Sequence, residues 1–171
     1  MAAEDSITEI ESDPEIQLKQ LIKGFLSKHD FLHEYRLQKL IYLAELFWLE
    51  DNESRLTDAN FKPYMFGSYS EDISVMLEEL QGEVRTTVDM RHGKLTTAYH
   101  GDNIDMPDDV AEIVEEVCSM AGDKSNEDLA TWSKNTHLYQ ETNYGDLMNF
   151  QDYLERYKET EESDVSSEFG E

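Results

Sequence analysis

The chain has 171 residues and carries 39 acidic against 14 basic side chains, which gives a net charge of −25. A single domain with one core is expected at this length. The charge disfavours nonspecific binding to nucleic acids or to anionic membranes, because both need clustered lysine and arginine.

The acidic charge is not confined to the chain ends. Residues 1–15 and 159–171 each hold six acids and no lysine or arginine, so the middle keeps 27 acids against all 14 basic residues, or −13. Self-repulsion of this size destabilises a compact protein unless salt screens it. The composition therefore favours a halophile-type surface. The alternative is an acidic mesophilic protein with two solvated tails.

Targeting signals and redox motifs are absent from the sequence. Cys118 is the only cysteine, which excludes an intrachain disulfide and a thiolate zinc site. The N-terminus lacks the basic region and apolar run of a signal peptide, and no apolar stretch reaches the roughly 18 residues of a membrane span. We therefore expect a cytoplasmic protein.

The first third of the chain is predicted to provide a central helix. Residues 1–12 are polar and acidic, which indicates a disordered tail. Asp13 and Pro14 suit the start of a helix. The stretch from Arg36 to Glu50 is apolar on almost every face, and a helix of this kind must be covered on most sides. It is predicted to lie at the centre of the fold.

An extended segment, a sharp turn and a helix are predicted next. Residues 61–66 alternate weakly and contain a proline, which suggests an edge strand. Gly67 supplies the backbone freedom for a sharp turn. Ser68 fits a capping box for the helix that follows, and Ser70 is the alternative cap.

The second half is predicted to hold a β-hairpin and three helices. Residues 83–99 change to a period of two, with Gly93 in the turn between the two strands. Ser125 can cap the second of the helices, and Asp146 can cap the last, which carries Leu147 inward.

These elements together predict a mainly α (α+β) fold. We expect a single compact multi-helix domain over residues 13–158, built around the central buried helix and containing one β-hairpin. Disordered acidic tails at residues 1–12 and 159–171 would flank it.

No motif for catalysis or cofactor binding is present, so we expect neither an enzyme nor a cofactor site. His29 and His33 lie four residues apart, and with Glu34 they could hold a metal ion if the connection were helical. A solvated polar loop is the more common explanation, so no metal site is predicted.

A winged-helix DNA-binding regulator is the alternative function. Helices followed by a hairpin are compatible with that fold, and the hairpin carries Arg85, Arg91, His92 and Lys94. The helix that would enter the groove, residues 70–80, has four acids and no basic residue. It would repel phosphates, so nucleic acid is not the expected partner.

Two stretches carry a resemblance to a known family. They read Arg36-Leu-Gln-Lys-Leu-Ile-Tyr-Leu-Ala-Glu and Tyr64-Met-Phe-Gly-Ser-Tyr-Ser-Glu-Asp-Ile. They resemble the Panacea domain, the SocA-like antitoxin family, with its "kLQKLlYfa" helix and its "yGP" turn before another helix. Ser68 stands where the family often has proline. A later segment with Leu129, Thr136 and His137 is similar to the family's "Ls…tH" pattern, so the resemblance spans roughly residues 18–140.

The resemblance implies a nonenzymatic antitoxin. Members of the family are expected to neutralise a toxin encoded beside them by binding it directly, and some hand it to a protease. The implied partners of this chain are therefore a cognate toxin and, in the latter case, a protease.

Several residues in these stretches are candidates for contact with the partner. Polar side chains on a nearly buried helix are unexpected unless they reach a partner or the adjacent loop, and aromatic rings beside a flexible turn are typical interface anchors. The alternatives are that the rings cap the core and that the histidine forms a hydrogen bond inside the domain. The candidate set is Gln38, Lys39, Tyr64, Phe66, Gly67, Tyr69 and His137.

Overall fold

A computed structural model of the protein describes residues 13–29, 31–89, 94–99 and 104–157, with the backbone alone for 85–89 and 94–99. The predicted tails and the predicted hairpin turn at Gly93 lie outside these residues.

The described residues form a mainly helical fold with two small sheets, which confirms the predicted fold class. The helices are α1 (Leu18–Leu26), α2 (Glu34–Asn52), α3 (Glu71–Glu79), α4 (Asp108–Ala121), α5 (Asn126–Lys134), α6 (His137–Gln140) and α7 (150–157). The strands are β1 (Leu32–His33), β2 (Lys62–Tyr64), β3 (Gly67–Tyr69), β4 (Val84–Asp89) and β5 (Lys94–Tyr99). No helix among the described residues has the length and apolar character needed to cross a bilayer.

The helix α2 is the centre of the core, as its all-round apolar pattern predicts. It contacts α1, α4 and α5, and twelve of its residues are buried, among them Leu37, Ile41 and Tyr42 with no exposed surface. Because neighbours cover the helix on several sides, apolar residues are accommodated around nearly its whole circumference.

The larger sheet has the strand order β1-β5-β4, with both pairs antiparallel. The hairpin of β4 and β5 occupies the predicted segment and pairs Val84 with Tyr99 and Asp89 with Lys94. The strand β1 lies between α1 and α2 in the sequence and pairs with β5. Its two residues are too few to show a period, so the sequence pattern missed it.

The smaller sheet corrects the prediction for the segment around Gly67. Residues 62–69 form a second antiparallel hairpin, and Gly67 opens β3 while the turn itself lies at Met65 and Phe66. Ser68 is therefore buried in a strand and does not cap α3. The N-cap position belongs to Ser70.

The end of the chain also differs from the prediction. The cap of α7 is Asn149, whose side-chain oxygen accepts a hydrogen bond from Asp152 N at 3.0 Å, so the predicted cap at Asp146 was wrong. Leu147 precedes the helix and is 55% exposed, because it lies outside the helical face that packs on the core.

A buried carboxylate fastens the loop after α2. Glu45 has no exposed surface, and it accepts hydrogen bonds from Thr57 N at 3.2 Å, from the Thr57 hydroxyl, and from Arg55 Nε at 3.3 Å. Burial raises the pKa of the Glu45 carboxyl, and Arg55 and Thr57 oppose that rise. A carboxylate inside a core needs such donors because an unpaired one is very costly.

Replacing Thr57 with valine removes one of these donors at nearly constant volume. We expect Thr57→Val to lower the free energy of unfolding by about 2 kcal/mol, since it leaves a buried acceptor underpaired. Urea denaturation measures the change. The matched control is Thr131→Val at an exposed position on α5, which should change stability little; equal effects at the two sites would contradict this role for the buried network.

Candidate functional site

Two polar side chains in the second turn of α2 bind the backbone that follows Gly67. Gln38 and Lys39 are only 1% and 2% exposed. The Gln38 amide accepts from Ser70 N at 2.8 Å and donates to Ser70 O at 2.9 Å, and Lys39 Nζ donates to Ser68 O at 3.1 Å. Of the two explanations for polar residues here, contact with the adjacent loop is thus observed.

The helix α5 holds β3 from the other side. Ser133 Oγ accepts from Ser68 N at 2.9 Å and donates to Ser68 Oγ at 2.8 Å, and all these groups are buried. We call the set of Gln38, Lys39 and Ser133 the β3 clamp. The sequence reasoning missed Ser133, although its spacing of four residues from the inward Leu129 placed it on the buried face of α5.

Gly67 is required where the clamp is tightest. Its φ is +108°, and a Cβ atom built there would lie 2.7 Å from Lys39 Cε and 3.2 Å from Ser133 Oγ. The backbone of β3 therefore passes closer to α2 and α5 than any residue with a side chain would permit.

The turn between β2 and β3 projects apolar side chains into solvent. Tyr64, Met65 and Phe66 are 40%, 64% and 60% exposed. The backbone of the turn is held by Tyr139, whose hydroxyl donates to Tyr64 O, and by Tyr35, whose hydroxyl donates to Phe66 O at 3.4 Å. This exposure argues against the alternative that the rings of Tyr64 and Phe66 only cap the core.

A cavity of about 490 Å³ lies between the first turns of α2 and this hairpin. Its wall is almost entirely apolar, and we call it the turn pocket. Six of the seven candidate residues line it: Gln38, Lys39, Tyr64, Phe66, Gly67 and Tyr69. Three further lining residues were not predicted: Glu34, Tyr35 and Met65. Tyr35 could have been found from its position four residues before Lys39 on the same helix face.

His137 is apart from this pocket. It is the first residue of α6 and is exposed. The hydrogen bond inside the domain is made by its neighbour Thr136, whose hydroxyl lies 2.7 Å from the hydroxyl of Tyr42.

The electrostatics of the pocket centre on Lys39. Its Nζ lies 4.4 Å from the centre of the Tyr35 ring, and among the described residues its one hydrogen bond is to Ser68 O. Burial, the larger cause, and the like charge of Lys134 together lower the pKa of Lys39 to about 8.

The described residues contain no group of three potential metal ligands. His29 lies beyond the end of α1 with Nδ1 at 2.8 Å from Phe25 O, and His33 belongs to β1. The described part of the connection, residues 31–33, is not helical, so it does not place the two histidines on one helix face as that metal site would need.

Substitution of Gly67 tests the clamp. Gly67→Ala combines a left-handed backbone with a clash against Lys39, so we expect the free energy of unfolding to fall by about 2 kcal/mol. The matched control is Gly82→Ala, where nothing lies within 4 Å of the added Cβ. Urea denaturation of the two variants compares them directly, and a loss at Gly82 as large as that at Gly67 would contradict the prediction.

Comparison with known proteins identifies the family. No curated protein and no solved structure matches the chain. The family model described as "Antitoxin SocA-like, Panacea domain" matches residues 37–140, which run from α2 to the end of α6. The match begins later than residue 18, where the resemblance was placed, and it includes the β3 clamp and the whole β2–β3 hairpin. Since more than half of the chain is matched, this protein belongs to the SocA-like antitoxin family with a Panacea domain.

Proposed function

We propose that this protein is a nonenzymatic antitoxin that neutralises a cognate toxin by direct contact, and that the turn pocket with its exposed turn is the contact surface. Family membership supports the antitoxin class. The observation that carries the choice of surface is the trio Tyr64, Met65 and Phe66, which expose large apolar side chains next to a pocket.

The energetics of the turn favour binding. Large apolar side chains that surround a pocket are the usual anchors of an interface, where a few of them contribute most of the binding energy. The backbone of β3 is bonded to two helices, so little conformational entropy remains to be lost when a partner binds.

The candidate residues divide into two roles under this proposal. Tyr64, Phe66 and Tyr69 contact the toxin, with Met65 added to them. The remaining pocket residues act through position, because Gln38 and Lys39 hold β3 and Gly67 lets it approach α2. His137 is proposed as a contact at the periphery, where its ring is exposed.

The charge of the chain suggests the character of the rest of the partner surface. A protein with net charge −25 attracts a basic partner over long range and accelerates the encounter. We therefore propose a toxin with a basic surface around an apolar anchor.

A co-expression assay tests the function. The gene beside this one is expressed alone and then together with the wild-type chain. We expect growth arrest in the first case and rescue in the second. A neighbouring product that is not toxic, or toxicity that this chain does not relieve, would contradict the antitoxin assignment.

Alanine substitutions in the turn test the surface. Met65→Ala and Phe66→Ala should each weaken toxin binding by about thirtyfold, the effect of losing an anchor worth about 2 kcal/mol. Calorimetry with the purified proteins measures the affinity. Met120→Ala is the matched control, because Met120 is an exposed methionine on α4, 39% exposed. Equal weakening by Met65→Ala and Met120→Ala would argue against the turn as the contact.

A DNA-binding regulator remains the second candidate because the β1-β5-β4 sheet has the topology of a winged helix. The charge of α3 opposes it. The helix that would face the groove carries Glu71, Asp72, Glu78 and Glu79 and no basic residue, and it would repel phosphates.

Gel-shift assays separate the two candidates. We expect no shift of duplex DNA, even at about 50 mM salt where phosphate contacts are strongest. A shift that weakens steeply as salt is raised would support the regulator.

A further inference from the structure

Lys39 is a buried ammonium whose charge has no counterpart in the described part of the chain. An ammonium has three N–H donors, and within the described residues only one of them is hydrogen-bonded, at Ser68 O. The Tyr35 ring covers another side at 4.4 Å. No described carboxylate forms an ion pair with it, and the charge that acts on its pKa is the like charge of Lys134. A buried charge in this state is costly unless an opposite charge reaches it.

The carboxylate nearest in sequence is engaged elsewhere. Glu34 also lines the turn pocket, but its Oε2 accepts a hydrogen bond from Ser74 Oγ, which in turn contacts the Tyr69 hydroxyl at 2.8 Å. Lys39 therefore stands in the wall of an apolar cavity with unused hydrogen-bonding capacity. This arrangement would suit a ligand with an apolar body and a negatively charged end.

The edges of the hairpin limit how a polypeptide can approach. On β3 and directly after it, the backbone N–H and C=O groups of Ser68 and Ser70 are hydrogen-bonded to the β3 clamp. On β2, Tyr64 O accepts from the Tyr139 hydroxyl, and the preceding Phe61 O accepts from Met148 N at 2.8 Å. These bonds leave little room for an added strand, which would need such groups free along an edge. A chain end that inserts one residue needs no strand edge.

We propose that the turn pocket binds the C-terminal residue of the partner polypeptide, with its apolar side chain against Tyr35, Tyr64 and Phe66 and its free carboxylate at Lys39. A cavity of about 490 Å³ has room for one large side chain and a carboxylate. The identity of the partner as the toxin rests on the proposed function, but the chemistry of the pocket does not.

Small probes test that chemistry on the full-length protein without any toxin. N-acetylphenylalanine carries the carboxylate, N-acetylphenylalaninamide is the same molecule without it, and N-acetylalanine lacks the ring. Binding is followed by NMR on ¹³C-methyl-labelled methionines, with the Met65 signal assigned from a Met65→Leu variant. At about pH 7 the acid should bind about tenfold tighter than the amide, as expected for a charge-assisted hydrogen bond, and N-acetylalanine should bind more weakly than both.

The pH dependence provides a second readout on the wild-type chain. The pKa of Lys39 is about 8 in the empty pocket, and a bound carboxylate would raise it by favouring the ammonium. Binding of the acid therefore takes up a proton above that pH, and its affinity should fall from about pH 7 to about pH 10 while that of the amide stays constant. Among the neighbouring groups, Tyr35 stays neutral over most of this range because burial and Glu127 raise its phenol pKa. The other titratable groups that line the pocket or act on Lys39 are Glu34, Tyr64, Tyr69 and Lys134.

A variant tests whether Lys39 causes the preference of the pocket for the acid over the amide. Lys39→Met keeps most of the side-chain length and removes the charge, so the ratio of the acid's affinity to the amide's should fall from about ten to about one. The ratio is the readout because losing the hydrogen bond to Ser68 O changes the binding of both probes. Phe66→Ala should weaken both probes. If the Lys39 variant does not fold, the pH series on the wild type decides the question. Equal binding of acid and amide at about pH 7, or a shift of signals remote from Met65, overturns the proposal.

Two further experiments test which polypeptide segment occupies the turn pocket. If neither probe binds the wild type but both bind a Phe169→Ala variant, the pocket belongs to an aromatic residue of this chain's own tail, and the proposal is overturned. With the neighbouring gene product, two glycines added after its last residue should weaken the complex at least tenfold, and unchanged affinity would reject its C-terminus as the occupant. Failed toxin rescue with intact probe binding rejects the proposed function alone.

Discussion

The hydrogen bonds between β3 and two helices are the constraint on which the rest of the site depends. A strand of three residues cannot bury its backbone without partners for its N–H and C=O groups. Here the partners are side chains of Gln38, Lys39 and Ser133. These hydrogen bonds fix the position of the β2–β3 hairpin relative to α2, so that its turn projects from the surface. The turn pocket is the space that remains between the hairpin and α2. A fault in the clamp would therefore move the exposed rings together with the backbone that carries them.

The fold was predictable where the sequence shows a sustained period. The central helix followed from apolar residues on all its faces, and the hairpin of β4 and β5 followed from an alternation that continues over twelve strand residues. The polar pair of α2 was recognisable as an anomaly, because glutamine and lysine do not belong on a buried face without a partner. The resemblance placed them in a family motif. It did not reveal that both residues bind the strand behind Gly67.

The remaining elements depend on tertiary contacts that leave no local pattern. The strand β1 has two residues and exists because β5 lies beside it. Ser68 and Glu71 have the spacing of a capping box, which predicts a helix cap at Ser68. In the structure Ser68 lies in β3, where its hydrogen bond with Ser133 outweighs that local preference. Met65 carried no signal of its own, and Tyr35 was marked only by its position four residues before Lys39 on the same helix face. They became part of the site only when the hairpin folded back over the first turns of α2.

Lysine at position 39 is the residue of the β3 clamp whose burial costs the most desolvation free energy, because it carries a charge. A neutral donor such as glutamine would satisfy the carbonyl of Ser68 without placing a charge in the core, and Gln38 does this for Ser70 one residue earlier. The ammonium bears a desolvation cost that is large enough to lower its pKa to about 8. Nothing within the described chain offsets that cost with an opposite charge. A cost of this kind is tolerated at functional sites, where a ligand can supply what the fold does not. The same residue that holds the hairpin in place is thus also the one best suited to recognise what enters the pocket.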